Sequence, residues 1–283
     1  MKVIMKGKQS KNSLTSHLSE SDLVDFLINK SRWSIGLVNK FQDHLNNCHD
    51  CWTKWNKVRW DKALNSRGMK ELYQYLGHDF KEYFDSSWAI AEEWLRQNPH
   101  TEKEVAEFYK TNSSYLYNLV VWYESGDRED FKKDFDNLIV RFKVNSVIDY
   151  GCGVGNDGLF LLENKWLVNF VDYDCPSVDF LKWRMKKRNV RAPVLNVEEI
   201  DLLPEMDMFW AIDVLEHMKN PLWAVERLPS KTRVFAHRSQ FGNNAGGRHP
   251  CHFCFDEMKL GKALSKRGFK HIPWPVLSVW IKN

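Results

Sequence analysis

Residues 147–158 read Val-Ile-Asp-Tyr-Gly-Cys-Gly-Val-Gly-Asn-Asp-Gly, so that an acid, Asp149, stands just ahead of three alternating glycines, Gly151, Gly153 and Gly155. Glycines at this spacing let the backbone take positive φ and leave no side chain between the main chain and a ligand. A dinucleotide site wants G-x-G-x-x-G, with pyrophosphate seated on the N–H groups of a helix start. Here the third glycine comes one residue early, and a carboxylate at 149 would repel a pyrophosphate while attracting a cationic amine. Further acids close later apolar stretches: Asp172 ends Val168–Asp172, where a ribose diol would need an acceptor, and Asp213 follows Met206–Ile212 and opens Asp-Val-Leu-Glu-His, ending at His217. A histidine with an ordinary pKa near 6.5 can take a proton from an accepting hydroxyl or amine, or can simply brace the loop it stands in. His237, His249 and Tyr115 are further candidates around an acceptor.

A second group of residue types points to metal chemistry. His44-x3-Cys48-x2-Cys51 puts two thiolates and an imidazole within one or two helical turns, a pattern suited to tetrahedral zinc. His17 or His49 could complete the set; the alternative is that Cys48 and Cys51 are small buried hydrophobes at a helix join. Cys251 and Cys254 form another Cys-x2-Cys flanked by His249 and His252; the two pairs could share one zinc as a four-cysteine site, or the segment 249–253, which follows the fifth expected strand, forms a loop over the site.

The elements that must carry these residues follow from periodicity. Residues 1–16 are rich in Lys, Ser and Asn and read as a tail. Ser19 to Asp22 offers helix caps before Leu23, Phe26 and Leu27, and Thr101 with Glu104 forms a capping box. Residues 17–143 read as helical throughout. From 144 to 283 strands and helices alternate, which calls for a parallel sheet covered on both faces. Strands are expected at 146–150, 167–172, 192–196, 206–212 and 232–236, then a helix near 255–267 and a hairpin-like pair at 269–272 and 276–281. Asp149, Asp172, Asn196 and Asp213 thereby fall at strand carboxyl ends, where open α/β sheets bind ligands.

Composition narrows the class. A chain of 283 residues with a net charge of +4 and no long basic block does not demand a nucleic acid partner. No stretch approaches the roughly 20 apolar residues of a membrane span, and the N-terminus lacks a signal-like apolar run, so a cytoplasmic protein with reduced cysteines is expected.

Taken together, D-Y-G-C-G-V-G, the acid at Asp172, and D-V-L-E-H followed by Asn220-Pro221 resemble a class I S-adenosylmethionine-dependent methyltransferase over residues 140–283. The resemblance implies an α/β, Rossmann-like seven-stranded sheet with a helical N-terminal region, and methyl transfer by in-line displacement at the sulfonium. It assigns Asp149, Gly151, Gly153, Gly155, Asp172, Asn196, Val197 and Asp213 to the cofactor, with Asn196 standing where the family usually has an acid. His217 and Asp213 are the catalytic candidates, and a small molecule or other unidentified acceptor is the expected partner. Residues 17–60 are similar to the zinc-binding domain of anti-sigma factors, which implies a structural zinc on His17, His44, Cys48 and Cys51 and a protein partner for that region. The competing readings are a non-catalytic regulator or scaffold of the same fold, and a dehydrogenase.

Overall fold

The computed structural model describes residues 17–241 and 250–282 and divides into two compact units, residues 1–58 and 59–283. In the first, helix α1 (Glu20–Asn29) opens on a capping box in which the Ser19 hydroxyl accepts from the Asp22 amide and the Asp22 carboxylate accepts from the Ser19 amide. Two amides that the helix cannot pair internally are thereby satisfied. Ser34 caps α2 (Ile35–Asn47), and Cys48, in extended conformation, separates α2 from α3 (His49–Ala63), whose last turn and a half belongs to the second unit. Phe26 stacks on Phe41 with ring centroids 4.3 Å apart, Trp55 meets Phe26 edge-on, and Leu23, Leu45 and Trp52 close around them. Each large side chain so buried contributes about 1.5–3 kcal/mol.

The second unit begins with helices α4 (Arg67–Leu76), α5 (Ser86–Gln97), α6 (Glu102–Thr111), α7 (Ser114–Glu124) and α8 (Glu129–Phe142). The Thr101–Glu104 capping box starts α6 as the sequence predicts. Strands and helices then alternate: β1 (Ser146–Tyr150), α9 (Asn156–Glu163), β2 (Leu167–Asp172), α10 (Pro176–Arg188), β3 (Val194–Asn196), β4 (Met208–Ile212), α11 (Leu222–Glu226), β5 (Val234–Arg238), α12 (Glu257–Lys266), β6 (Lys270–Ile272) and β7 (Ser278–Ile281). Among the described residues these strands form one seven-stranded sheet in the order β3-β2-β1-β4-β5-β7-β6. The first five strands are parallel, and β7 runs antiparallel between β5 and β6. This is the Rossmann-like methyltransferase arrangement that the sequence predicts, its chain order reversing direction between β1 and β4.

Both faces of the sheet are buried, so successive residues of a strand enter different cores. Val147, Val168, Phe170, Met208 and Trp210 pack with Phe131, Phe135 and Leu138 of α8 and Leu181 of α10. Ile148, Tyr150, Val171, Phe209 and Phe235 pack on the other face with Ala224 of α11 and Leu260 and Leu264 of α12. No helix among the described residues is long and apolar enough to cross a membrane.

Candidate functional site

Strand β1 ends at Tyr150, and the chain turns through Gly151 at φ +66° and Gly153 at φ +50° before Gly155 leads into α9. Besides this backbone requirement, a Cβ at 151 would collide with the Val214 side chain, and one at 153 would have to push aside the end of the Leu119 side chain, so both positions favour glycine. Across the loop, Asp172 at the end of β2 accepts from the Gly153 amide through Oδ2 and from the Tyr173 amide through Oδ1, both at 2.7 Å. Burial pushes the Asp172 carboxyl up to about 6 despite these two donors. A cavity of about 550 Å³ opens here at the carboxyl ends of the strands, its lining including Gly151, Gly153, Asp172 and Tyr173 together with Asp213, His217, Tyr109 and Tyr115. Its size suits a small organic ligand.

The remaining expected cofactor residues are distributed around this cavity. Val197 and Glu198 line it, but Asn196 does not; the Asn196 side chain caps the short turn 197–202, accepting from the Glu198 amide, and donates to Asp174 Oδ2 at 3.0 Å. Gly155 stands outside the lining, as does Asp149. Asp149 lies beneath the loop, where its Oδ2 accepts from the Gly158 amide in α9 at 3.1 Å. Burial, followed by the nearby Asp157, pushes the Asp149 carboxyl up to about 8, against the pull of Arg128. Asp149 is thus tied to the start of α9 beneath the loop and does not line the cavity, where the sequence suggests an anion facing a cofactor amine. Asp157 is itself held by Arg128 Nη2 at 2.7 Å and Trp210 Nε1 at 2.8 Å.

Asp213 takes φ +51°, a conformation uncommon outside glycine, and is fixed there by its amide donating to the Arg238 carbonyl and by Arg238 Nη1 donating to its Oδ1 at 2.9 Å. Three residues on, Glu216 is fully buried; one oxygen accepts from the Gln240 amide, and burial reinforced by Asp213 raises its pKa to about 8. His217 lines the cavity with Nδ1 2.9 Å from the Tyr109 hydroxyl of α6. Tyr109 and Tyr115 are both held well above the usual tyrosine range by burial, so they remain hydroxyls. His252 stacks edge-on against His217 with centroids 4.7 Å apart, and Tyr115 Oη lies 3.9 Å from Cys251 Sγ. Of the segment 249–253 expected to cover the site, Cys251 and His252 pack against Tyr115 and His217 without lining the cavity, and His249 lies outside the described residues. His237 is not part of the cavity: it is buried beneath the sheet end, bonded to Ser239, and burial depresses its pKa to about 3. Sequence reasoning missed Tyr109 as the partner of His217, and Lys110, whose Nζ meets Glu198 Oε1 at 3.2 Å beside the cavity. Their one available signal was helical spacing, which places both on α6 without saying what α6 faces.

In the first unit, the predicted metal residues converge. His17 Nδ1 lies 3.4 Å from Cys48 Sγ and 3.6 Å from Cys51 Sγ, and His44 Nε2 lies 3.2 Å from Cys51 Sγ. Nitrogen and sulfur ligands of one tetrahedral zinc ion stand about 3.5 Å apart, given the usual metal–ligand lengths. The Leu18 amide donates to Cys51 Sγ at 3.2 Å, the kind of outer contact that supports a thiolate. His17, Cys48 and Cys51 thus form one group of ligand atoms within 4.8 Å of one another, a donor set that fits zinc; His44 meets Cys51 but, like His49, is not in that group.

No family model and no curated protein matches the sequence. Solved structures similar in arrangement include the 1,6-didemethyltoxoflavin-N1-methyltransferase of Burkholderia thailandensis, at 18% identity over 65% of this chain and 92% of that one, TM-score 0.46. The magnesium protoporphyrin IX methyltransferase of Synechocystis PCC 6803 aligns at 13% identity over 76% and 99%, TM-score 0.46. The methyltransferase domain of a bacterial Hen1 aligns at 18% identity over 55% and 98%, TM-score 0.43. Scores and identities this low carry no functional argument.

Proposed function

We propose that the second unit is an S-adenosylmethionine-dependent methyltransferase acting on a small-molecule acceptor. The observation that carries this reading is the lining of the cavity, which combines bare glycine backbone and the Asp172 carboxylate with His217, its tyrosine partner and Tyr115. Asp172 uses its free lone pairs to accept from a ribose diol, Gly151 and Gly153 let an amino-acid moiety lie on the main chain, and Val197 and Glu198 border the adenine. S-adenosylmethionine would supply a sulfonium methyl, to whose carbon the acceptor nucleophile bonds in line while S-adenosylhomocysteine leaves as the thioether. His217, Tyr109 and Tyr115 hold the acceptor for that approach, and most of the rate comes from positioning. His217, oriented by Tyr109, takes the proton that the acceptor loses. A dinucleotide fits less well, because the third glycine is one residue early for G-x-G-x-x-G.

Calorimetric titration with S-adenosylmethionine, S-adenosylhomocysteine and NAD tests the reading, alongside Asp172→Ala. Micromolar binding of the adenosyl compounds, lost in the variant, supports it. Binding of NAD alone, or of none of the three, overturns it and brings forward a dehydrogenase or a scaffold that engages a protein partner.

We further propose that His17, His44, Cys48 and Cys51 hold a structural zinc ion. The supporting observation is that the ligand atoms of His17, Cys48 and Cys51 lie within 4.8 Å of one another, with His17 Nδ1 3.4 and 3.6 Å from the two sulfurs and His44 Nε2 3.2 Å from Cys51 Sγ.

A further inference from the structure

A second group of metal-type donors lies in the other unit. His217, Cys251 and His252 each present one ligand atom, and these atoms lie within 4.8 Å of one another. Neither composition nor spacing in sequence brings them together. His217 is set by the turn after β4. The strap carrying Cys251 and His252 is pinned to that same turn, because the Phe253 amide donates to the Glu216 carbonyl at 2.7 Å. Cys251 is 3% exposed and packs among Val105, Trp94 and Phe108, so its sulfur is held by helices α5 and α6 as well as by the strap.

We infer that His217, Cys251 and His252 form a second metal site, which takes a divalent transition ion of the zinc class at the edge of the cavity. The donor chemistry selects the ion. Two imidazoles and a thiolate suit zinc or cobalt(II), whereas magnesium and calcium require oxygen ligands. Three protein donors match the count of zinc sites that keep a position open. His217 lines the cavity, so an ion bound to it is within reach of whatever the cavity holds. The outer contacts also agree. A histidine that binds metal through one ring nitrogen carries its proton on the other, and Tyr109 Oη stands 2.9 Å from His217 Nδ1 to meet that second nitrogen. With the ion bound, His217 is a ligand and not the base, so the site replaces that one role and leaves the rest of the methyl-transfer reading untouched; it is read out as metal content.

The test is cobalt(II) loading of the full chain after metal removal, with cobalt counted by elemental analysis and thiolate ligation followed by sulfur-to-cobalt charge-transfer absorption. Cys251→Ser, nearly isosteric, and His252→Ala are compared with the intact sequence, and circular dichroism confirms that each is folded. The expected result is loss of one cobalt equivalent per chain in both variants, with the charge-transfer band weakened by Cys251→Ser. In a Cys48→Ser/Cys51→Ser background one equivalent remains, and adding Cys251→Ser removes it. Unchanged cobalt content and spectrum in both single variants overturn the site and leave the three residues as a hydrogen-bonded cluster only.

Discussion

Asp172 shows how one residue can couple the site to pH. Its two oxygens already accept from the Gly153 and Tyr173 amides, yet burial holds its pKa near 6, above the ordinary aspartate value of about 4. Because the folded value is raised, its contribution to stability is fully present below pH ~4 and is lost as pH rises through about 6. Ligand binding has the opposite sign, since only the ionised carboxylate accepts both ribose hydroxyls. Affinity for S-adenosylhomocysteine is therefore expected to fall below pH 6, by up to about tenfold per unit. Asp172→Asn should bind on the order of 10–100-fold more weakly, as expected for losing a hydrogen bond to a charged group, and with a flat profile between pH 5 and 7. Calorimetry across that range checks both; a wild-type affinity independent of pH would remove Asp172 from the ribose contact. Gly153→Ala meets two penalties, a positive φ worth about 1–2 kcal/mol and a collision with Leu119, and should lower the melting temperature as well as the affinity. Asp172 and the glycines were legible in the sequence because strand-end acids and alternating glycines have few uses. The place of Asp149 was not legible: strand alternation sends it to the same face as Val147, toward α9 and the inner core, although in sequence it adjoins the loop.

At the scale of elements, the loop is held in place by a helix far upstream. Glu71 of α4 is almost fully buried and accepts from Arg184 Nε at 2.9 Å and from Arg188 Nε and Nη2 at 2.8 and 2.6 Å, both arginines lying on α10. Arg184 in turn donates to the Val154 carbonyl at 2.6 Å and to Asn156 Oδ1 at 2.7 Å, so the ion pair reaches the glycine loop itself. These bonds keep the Glu71 carboxylate below its ordinary pKa even though burial pulls the other way. Removing one partner of such a network strands the buried charges that remain, which costs about 3–5 kcal/mol. Glu71→Ala is accordingly expected to lose that much in denaturant unfolding and to weaken cofactor binding. A loss under 1 kcal/mol would mean that water replaces the carboxylate at little cost. No local pattern foretold this contact, because Glu71 and Arg184 each look like ordinary charges on a solvated helix face. Strands β1 and β2 were legible to the residue, since apolar runs bounded by turn residues have sharp ends. The insertion of β7 between β5 and β6 was not legible: alternation marks a strand but not its neighbours.

At the scale of the whole molecule, the two units differ in what can hold them. The second has a sheet with a core on each face, ample for a fold without metal. In the first, the described residues 17–58 approach the length of ~40 below which apolar burial usually needs help from a metal or a disulfide. No disulfide is present among the described cysteines, and His17, His44, Cys48 and Cys51 converge instead. The Cys-x2-Cys spacing made this group legible; the His217, Cys251 and His252 cluster was not, because a fold must bring its members together. Structural zinc contributes apparent binding energies of roughly 10–16 kcal/mol at pH 7 in small zinc-dependent folds, more than a core of a few aromatic residues leaves in reserve. Chelation should therefore expose residues 17–58 to protease while residues 59–283 stay resistant and keep their affinity for S-adenosylhomocysteine. Cys48→Ser should produce the same cleavage without chelator. Protease resistance of residues 17–58 that survives both chelation and the Cys48→Ser/Cys51→Ser double variant would show that the aromatic core suffices, and that the thiols and imidazoles pack without a metal.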